Sequence, residues 1–305
     1  MITPHGAIVV RILQYIGGPL ALLLLYDIVV VVAYVYFGQH WLALPHLQLS
    51  IGGGAIGVIL GFRNNACYAR WWEARTLWGR IVNYSRCVAR QAVTFIALGV
   101  RPQGHEQVRD VQRRIVYYQI AYVNALRCQL RGQEPWPELE PFLSCGEIHS
   151  LRDTKNAAAE IQRRMALLLQ DSCRRGWLGA LQLALLDNSL TELANAQGGC
   201  ERLKNTPMPK QYDYFPRLLV HVFCILLPLG MVASLGLLTP IGSSLLGFVF
   251  QALEKIGRDL EHPFNNGVHD VALTSICRTI EINLKQYLGE TDLPAPLEPV
   301  HGVLW

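Results

Sequence analysis

Phe62-Arg63-Asn64-Asn65, followed by Arg70-Trp71-Trp72-Glu73-Ala74-Arg75, is the stretch on which the fold turns. Before it the chain is apolar and rich in glycine; after it the chain is rich in arginine. Indole rings and the long stems of cationic side chains both favour the boundary between lipid and water. Two tryptophans and several arginines at such a junction predict a helix leaving a membrane. The composition agrees. The 305 residues are 51% hydrophobic and only 16% charged, against about 25% charged in an average soluble protein.

The charge deficit is uneven. From Leu20 to Phe62 the only Asp, Glu, Lys or Arg is Asp27, and from Leu218 to Leu253 there is none. A stretch of about 20 apolar residues crosses a bilayer as a helix, so Gly18–Phe37 is expected as a first span. Asp27 falls near its middle, where a carboxylate must face protein or water; it is read as a buried, hydrogen-bonded or protonated carboxylate, with ion binding as the alternative. Gly38 to Ser50 is expected as an outer loop, and Ile51–Phe62 re-enters as a second span that continues past Arg70. Gly53, Gly57 and Gly61 recur every fourth residue and predict a helix–helix packing stripe. The neighbouring stripe, Gly54, Val58 and Phe62, then faces another helix or a central axis.

Residues 63 to 211 hold most of the arginines. Apolar residues recur with helical spacing over Val108–Leu130, Ala157–Leu169 and Leu178–Leu193, with prolines at 135, 137 and 141 between the first two. No alternating pattern of any length suggests a strand. Pro207, Pro209 and Pro216 are read as the return to the membrane. The uncharged run 218–253 would be roughly 54 Å long as one helix, too long for one crossing. Thr239-Pro240-Ile241-Gly242 splits it into a third span, Leu218–Leu238, and a short fourth from Ile241. The fold class is therefore all-α, a membrane protein with four spans and a helical domain outside the bilayer. Its regions are 1–69 with spans one and two, 70–215 as the helical domain, 216–262 with spans three and four, and 263–305 as a C-terminal segment. Both short loops lack Lys and Arg, so both termini and the helical domain are expected in the cytoplasm. The eight cysteines show no CxxC pairing and read as reduced thiols. No signal peptide is evident, and the net charge of +4 carries no basic stripe suited to nucleic acid.

The string GFRNNACYARWWEARTLWGRIVNYSR, residues 61–86, resembles the second-helix signature of the bestrophin family of ion channels, in its bacterial branch. Two further stretches match in order and spacing: Leu253-Glu254-Lys255-Ile256-Gly257 through His262-Pro263-Phe264, and Ile276-Cys277-Arg278-Thr279-Ile280-Glu281. The resemblance implies a homopentamer around one central pore in the bacterial inner membrane, with itself, lipid and small monovalent ions as partners and no cofactor. It implies a narrow hydrophobic neck lined by Gly54, Val58 and Phe62, the stripe beside the glycines. Gly54 departs from the bulky residue usual at the first neck position, so this neck is expected to be shorter or wider at its outer end. Counting back from Glu192 and Cys200 puts a cytosolic aperture at Ala184 or Leu185. Animal relatives pass chloride, but an uncharged neck leaves a monovalent cation such as sodium equally open. Animal members are gated by calcium through an acidic cluster after the Pro-Phe motif. Here that place holds one carboxylate, Asp270, and calcium needs several oxygen ligands, so calcium gating does not carry over.

Enzyme readings find little to stand on. His262 and His269 are not spaced as any zinc motif, and Gly52-Gly53-Gly54 has no strand before it to make a phosphate loop. No metal site or catalytic residue is expected. A membrane scaffold or anchor that conducts nothing is the remaining alternative.

Overall fold

A computed structural model describes residues 8–97 and 105–305. Residues 1–7, at the start of the first expected region, and 98–104, within the expected helical domain, lie outside them. Ten α-helices follow one another among the described residues. They are α1 (Ile8–Val35), α2 (His46–Phe95), α3 (His105–Arg131), α4 (Trp136–Leu139), α5 (Cys145–Arg152), α6 (Ala157–Arg174), α7 (Ala180–Asn205), α8 (Lys210–Leu235), α9 (Thr239–Glu261) and α10 (Leu273–Tyr287). There is no β-sheet among them, only an isolated bridge between Val300 and Val303. The chain divides into two compact units, one of residues 8–71 and Pro207–His262, the other of Trp72–Thr206 and Pro263–Trp305. The changeover along α2 falls between Trp71 and Trp72, the paired tryptophans of the junction.

The first unit is built from α1, the first half of α2, α8 and α9. Leu23, Ile56, Leu60, Val220, Phe223, Cys224 and Leu227 form its core. A fully buried side chain such as Leu60 contributes about 1.5–3 kcal/mol. Close approach depends on missing side chains. A Cβ on Gly247 of α9 would collide with Leu23 of α1, and one on Gly53 would stand 2.8 Å from the Phe223 ring. Two stretches among the described residues are long and apolar enough to cross a membrane, Tyr15–Val35 and Lys210–Glu261. Their outward faces carry Leu22, Leu25, Val29, Ile225, Ile241 and Leu245, all exposed. Large apolar side chains in such numbers on one surface suit lipid or a partner, not water.

The long uncharged run breaks slightly earlier than its sequence suggested. α8 ends at Leu235, Gly236 takes φ 51°, a 3₁₀ turn covers Gly236–Leu238, and α9 opens at Thr239 with Pro240 in its first turn. Glycine alone tolerates that φ without strain, and proline suits a first helical turn. Pro216 does not precede the helix; it lies inside α8 together with Pro228, as membrane helices allow when neighbours satisfy the freed carbonyls.

The second unit centres on α3, which packs on α6 and α10. On α6 the residues Ala158, Ile161, Met165, Leu169 and Ser172 are buried, one per turn, which is the spacing that predicts the helix from sequence. Asn156 caps it by accepting from the Ala159 amide (3.0 Å). Ser144 and Glu147 form a reciprocal capping box at the start of α5.

Candidate pore-lining face of α2

Through the first unit, α2 has two opposite faces. Ile56, Leu60, Arg63 and Cys67 are buried, and they recur at three- and four-residue intervals along one side. At 3.6 residues per turn, the stripe of Gly54, Val58 and Phe62 centres roughly 180° from them. All three are exposed, Val58 at 59% and Phe62 at 71%. The stripe therefore points away from the chain's own core and carries no charge. Of the glycine stripe, Gly53 faces Phe223, whereas a Cβ on Gly57 or Gly61 would meet nothing of this chain within 4 Å.

Behind the stripe lies a charged cluster. Arg63, 1% exposed, donates through Nη2 to Asp213 (2.7 Å) and through Nη1 to the Glu254 carbonyl (3.1 Å). The carboxylates of Glu254 and Glu261 stand 3.7 and 3.8 Å from the same guanidinium. Arg217 pairs with Asp213 (3.2 Å) and Glu254 (3.4 Å), and Arg258 with Glu254 (3.6 Å). Three cations thus balance three carboxylates. Removing one partner from a buried pair leaves an uncompensated charge and costs about 3–5 kcal/mol. Asn64 donates to the Leu253 carbonyl (2.9 Å) and Arg70 to that of Glu261 (2.8 Å). Gly257 makes room for Asn64, since a Cβ there would overlap the amide.

Asp27 is wholly buried; its two carboxylate oxygens accept from Ser243 (3.0 Å) and Ser244 (3.1 Å) on α9. In the second unit, Ala184 and Leu185 are both exposed near the start of α7. Leu181, one turn earlier and 77% exposed, continues their face. Sequence spacing did not single it out; a leucine at i−4 from Leu185 was the available signal. Nor did it find the acidic partners of Arg63, which lie 150 to 198 positions away in the chain and share no motif with it. Asp270, after the Pro-Phe motif, is buried and accepts from the Gly267 amide (2.9 Å). Burial raises its pKa and hydrogen bonds from its own loop oppose the rise.

Known proteins share this architecture. A crystal structure of a bacterial bestrophin homolog from Klebsiella pneumoniae superposes with a TM-score of 0.83 at 32% identity, covering 90% of this chain and 99% of that one. The voltage-dependent anion channel-forming protein YneE of Salmonella typhi is 34% identical over 295 residues, 97% of this chain and 92% of its own. The voltage-dependent anion channel-forming protein RSc3414 of Ralstonia nicotianae is 35% identical over 258 residues, covering 83% and 82%. The class so defined is that of helical ion channels of the membrane, not of enzymes. The chain belongs to the bacterial/fungal bestrophin family: the family model described as Bacterial/Fungal Bestrophin protein matches residues 2–286.

Proposed function

We propose that this chain is one subunit of a homopentameric channel for small monovalent ions, with α2 of each copy lining a narrow neck at Gly54, Val58 and Phe62. The observation that carries the proposal is the outward apolar stripe, set opposite the face that α2 packs on its own chain. One subunit cannot enclose an axis with a single helix, so the stripe needs other copies to face. Five phenylalanines form the tighter ring and five valines the next. Apolar rings of this kind hold water out and act as barriers without blocking atoms. Ala184 and Leu185, with Leu181, are the candidates for a second, cytosolic constriction. Four spans per subunit, both termini in the cytoplasm and a place in the bacterial inner membrane complete the proposal, supported by the absence of Lys and Arg from the two short loops.

The names of the relatives favour anions. The neck itself has no ring of charge with which to choose a sign, which keeps a cation such as sodium as the competing outcome. Purified protein in liposomes, under separate chloride and sodium gradients, tests both points. Flux with a reversal potential that follows chloride is expected. A reversal following sodium would correct the ion and leave the channel standing. No flux from an intact oligomer would favour a scaffold.

A further inference from the structure

We infer that Arg63 is a positioning residue for the neck: it fixes the rotation and height of α2 and thereby aims Phe62 at the axis. The inference rests on the neck proposed above and goes beyond it, because Arg63 does not itself belong to the exposed stripe. The two residues are neighbours in the chain, about 100° apart on the helix, so turning one turns the other. Arg63 is held from three directions, by Asp213 on α8, by the carbonyl and carboxylate of Glu254 on α9, and by Glu261 at the end of α9. Asn64 adds a hydrogen bond to Leu253 beside it, and Arg70 another to Glu261 two turns on.

These anchors lie on one side of α2 and all engage α8 or α9 of the same chain. Between Gly54 and Phe62 the stripe itself meets nothing comparable. A slide of α2 by one turn, or a rotation by one residue, would take a nearly buried guanidinium away from its carboxylates. It would also break the bonds of Arg63, Asn64 and Arg70 to the carbonyls of Glu254, Leu253 and Glu261. Arginine suits the task because its planar fork bonds in fixed directions, which a lysine ammonium does not. Simple burial of an apolar residue at 63 would hold the helix against its neighbours but would not fix its rotation. Arg63→Gln leaves two arginines against three carboxylates, so it alters the local field as well as the hold on α2. A field effect persists when Phe62 is removed, whereas a misplaced ring does not.

The test is a double-mutant cycle on unitary conductance, using the full chain in lipid bilayers, with oligomer size checked by chromatography. Phe62→Ala is expected to raise conductance. Arg63→Gln is expected to change conductance at least three-fold and to broaden it into several levels, with Arg63→Lys recovering only part of the change. In the Phe62→Ala background, Arg63→Gln should then do almost nothing, because there is no ring left to misplace. Equal effects of Arg63→Gln in both backgrounds, or none in an intact oligomer, overturn the inference while the neck stands. No effect of Phe62→Ala overturns the neck and the inference together. If Arg63→Gln does not assemble, Asp213→Asn, at a partly exposed partner of the same guanidinium, is carried through the same cycle. It should shift conductance in the same direction, less strongly, and lose that effect with Phe62→Ala; equal effects in both backgrounds overturn the inference.

Discussion

Phe62 is the residue on which the proposed barrier rests. Phe62→Ala should raise ion flux several-fold without dispersing the oligomer, since the buried side of α2 is untouched; Val58→Ala should act in the same direction and less. A liposome flux assay with size checked in parallel reads both, and unchanged flux through an intact assembly would require another lining residue. A second residue-scale consequence concerns acid. Glu160 is held down to about 2 by the hydrogen bond from Arg163, against some burial, with Arg164 assisting. A carboxylate whose folded value lies below its unfolded value adds stability above the unfolded value, near 4.5, and loses it as pH falls toward 2. Glu160→Gln should therefore lower the melting temperature at pH 7, and the difference from the parent should shrink as pH drops from 4.5 to 2. At this scale the exposed apolar stripe was legible, because periodicity along one helix is local information. The carboxylates that hold Arg63 were not, because a buried charge reads in sequence like a solvated one until its partners are folded against it.

Among the elements, the existence of the spans and of α3, α6 and α7 was legible and their extent less so, while the short α4 and α5 and the 15-residue α10 (Leu273–Tyr287) were not anticipated. α7 follows its apolar spacing to Leu193 and then runs on to Asn205 through Gly198 and Gly199. Two glycines would ordinarily end such a helix. Here Gly199 accommodates Leu77, whose side chain would stand 2.8 Å from a Cβ at that position, so packing decides the matter. α9 likewise outlasts its apolar run, because Glu254 and Glu261 turn inward to arginines where sequence alone suggests a water-facing end. Gly247, absent from the expected packing stripe, makes a closer contact than Gly57 or Gly61 do within the chain. Gly247→Ala should destabilise the protein by about 1–3 kcal/mol through overpacking against Leu23. Thermal unfolding in detergent measures it, and a parent-like melting curve would mean that α1 and α9 separate more easily than their contact suggests.

For the whole molecule, the glycines that find no partner are the informative ones. Gly57 and Gly61 lie beside the outward stripe with open space before them, which is what a contact with another copy would leave in a single chain. Gly57→Leu should therefore leave helix content intact and reduce the oligomer to smaller species, as read by light scattering in detergent. An unchanged assembly would show that subunits meet elsewhere. Oligomeric order was not legible from composition or spacing. The second helix could be seen to need something to face, but nothing along one chain counts the copies around an axis.

The bond between Asp27 and the serines of α9 also sets a schedule for biogenesis. Ser243 and Ser244 come 216 and 217 residues after Asp27 in the chain. On the four-span topology proposed above, α1 enters the bilayer with its carboxyl unmatched while the ribosome makes everything between, at a cost of about 2.5–3.5 kcal/mol for an aspartate near a helix centre. A chain that stops before α9 therefore keeps an unmatched carboxyl in α1, and that defect is the expected mark of an incomplete protein. Chains truncated before Thr239 should be degraded quickly, and Asp27→Asn should lengthen the lifetime of those fragments in a pulse–chase experiment. In the full-length chain the same substitution should do little, because by then Ser243 and Ser244 have arrived to meet it.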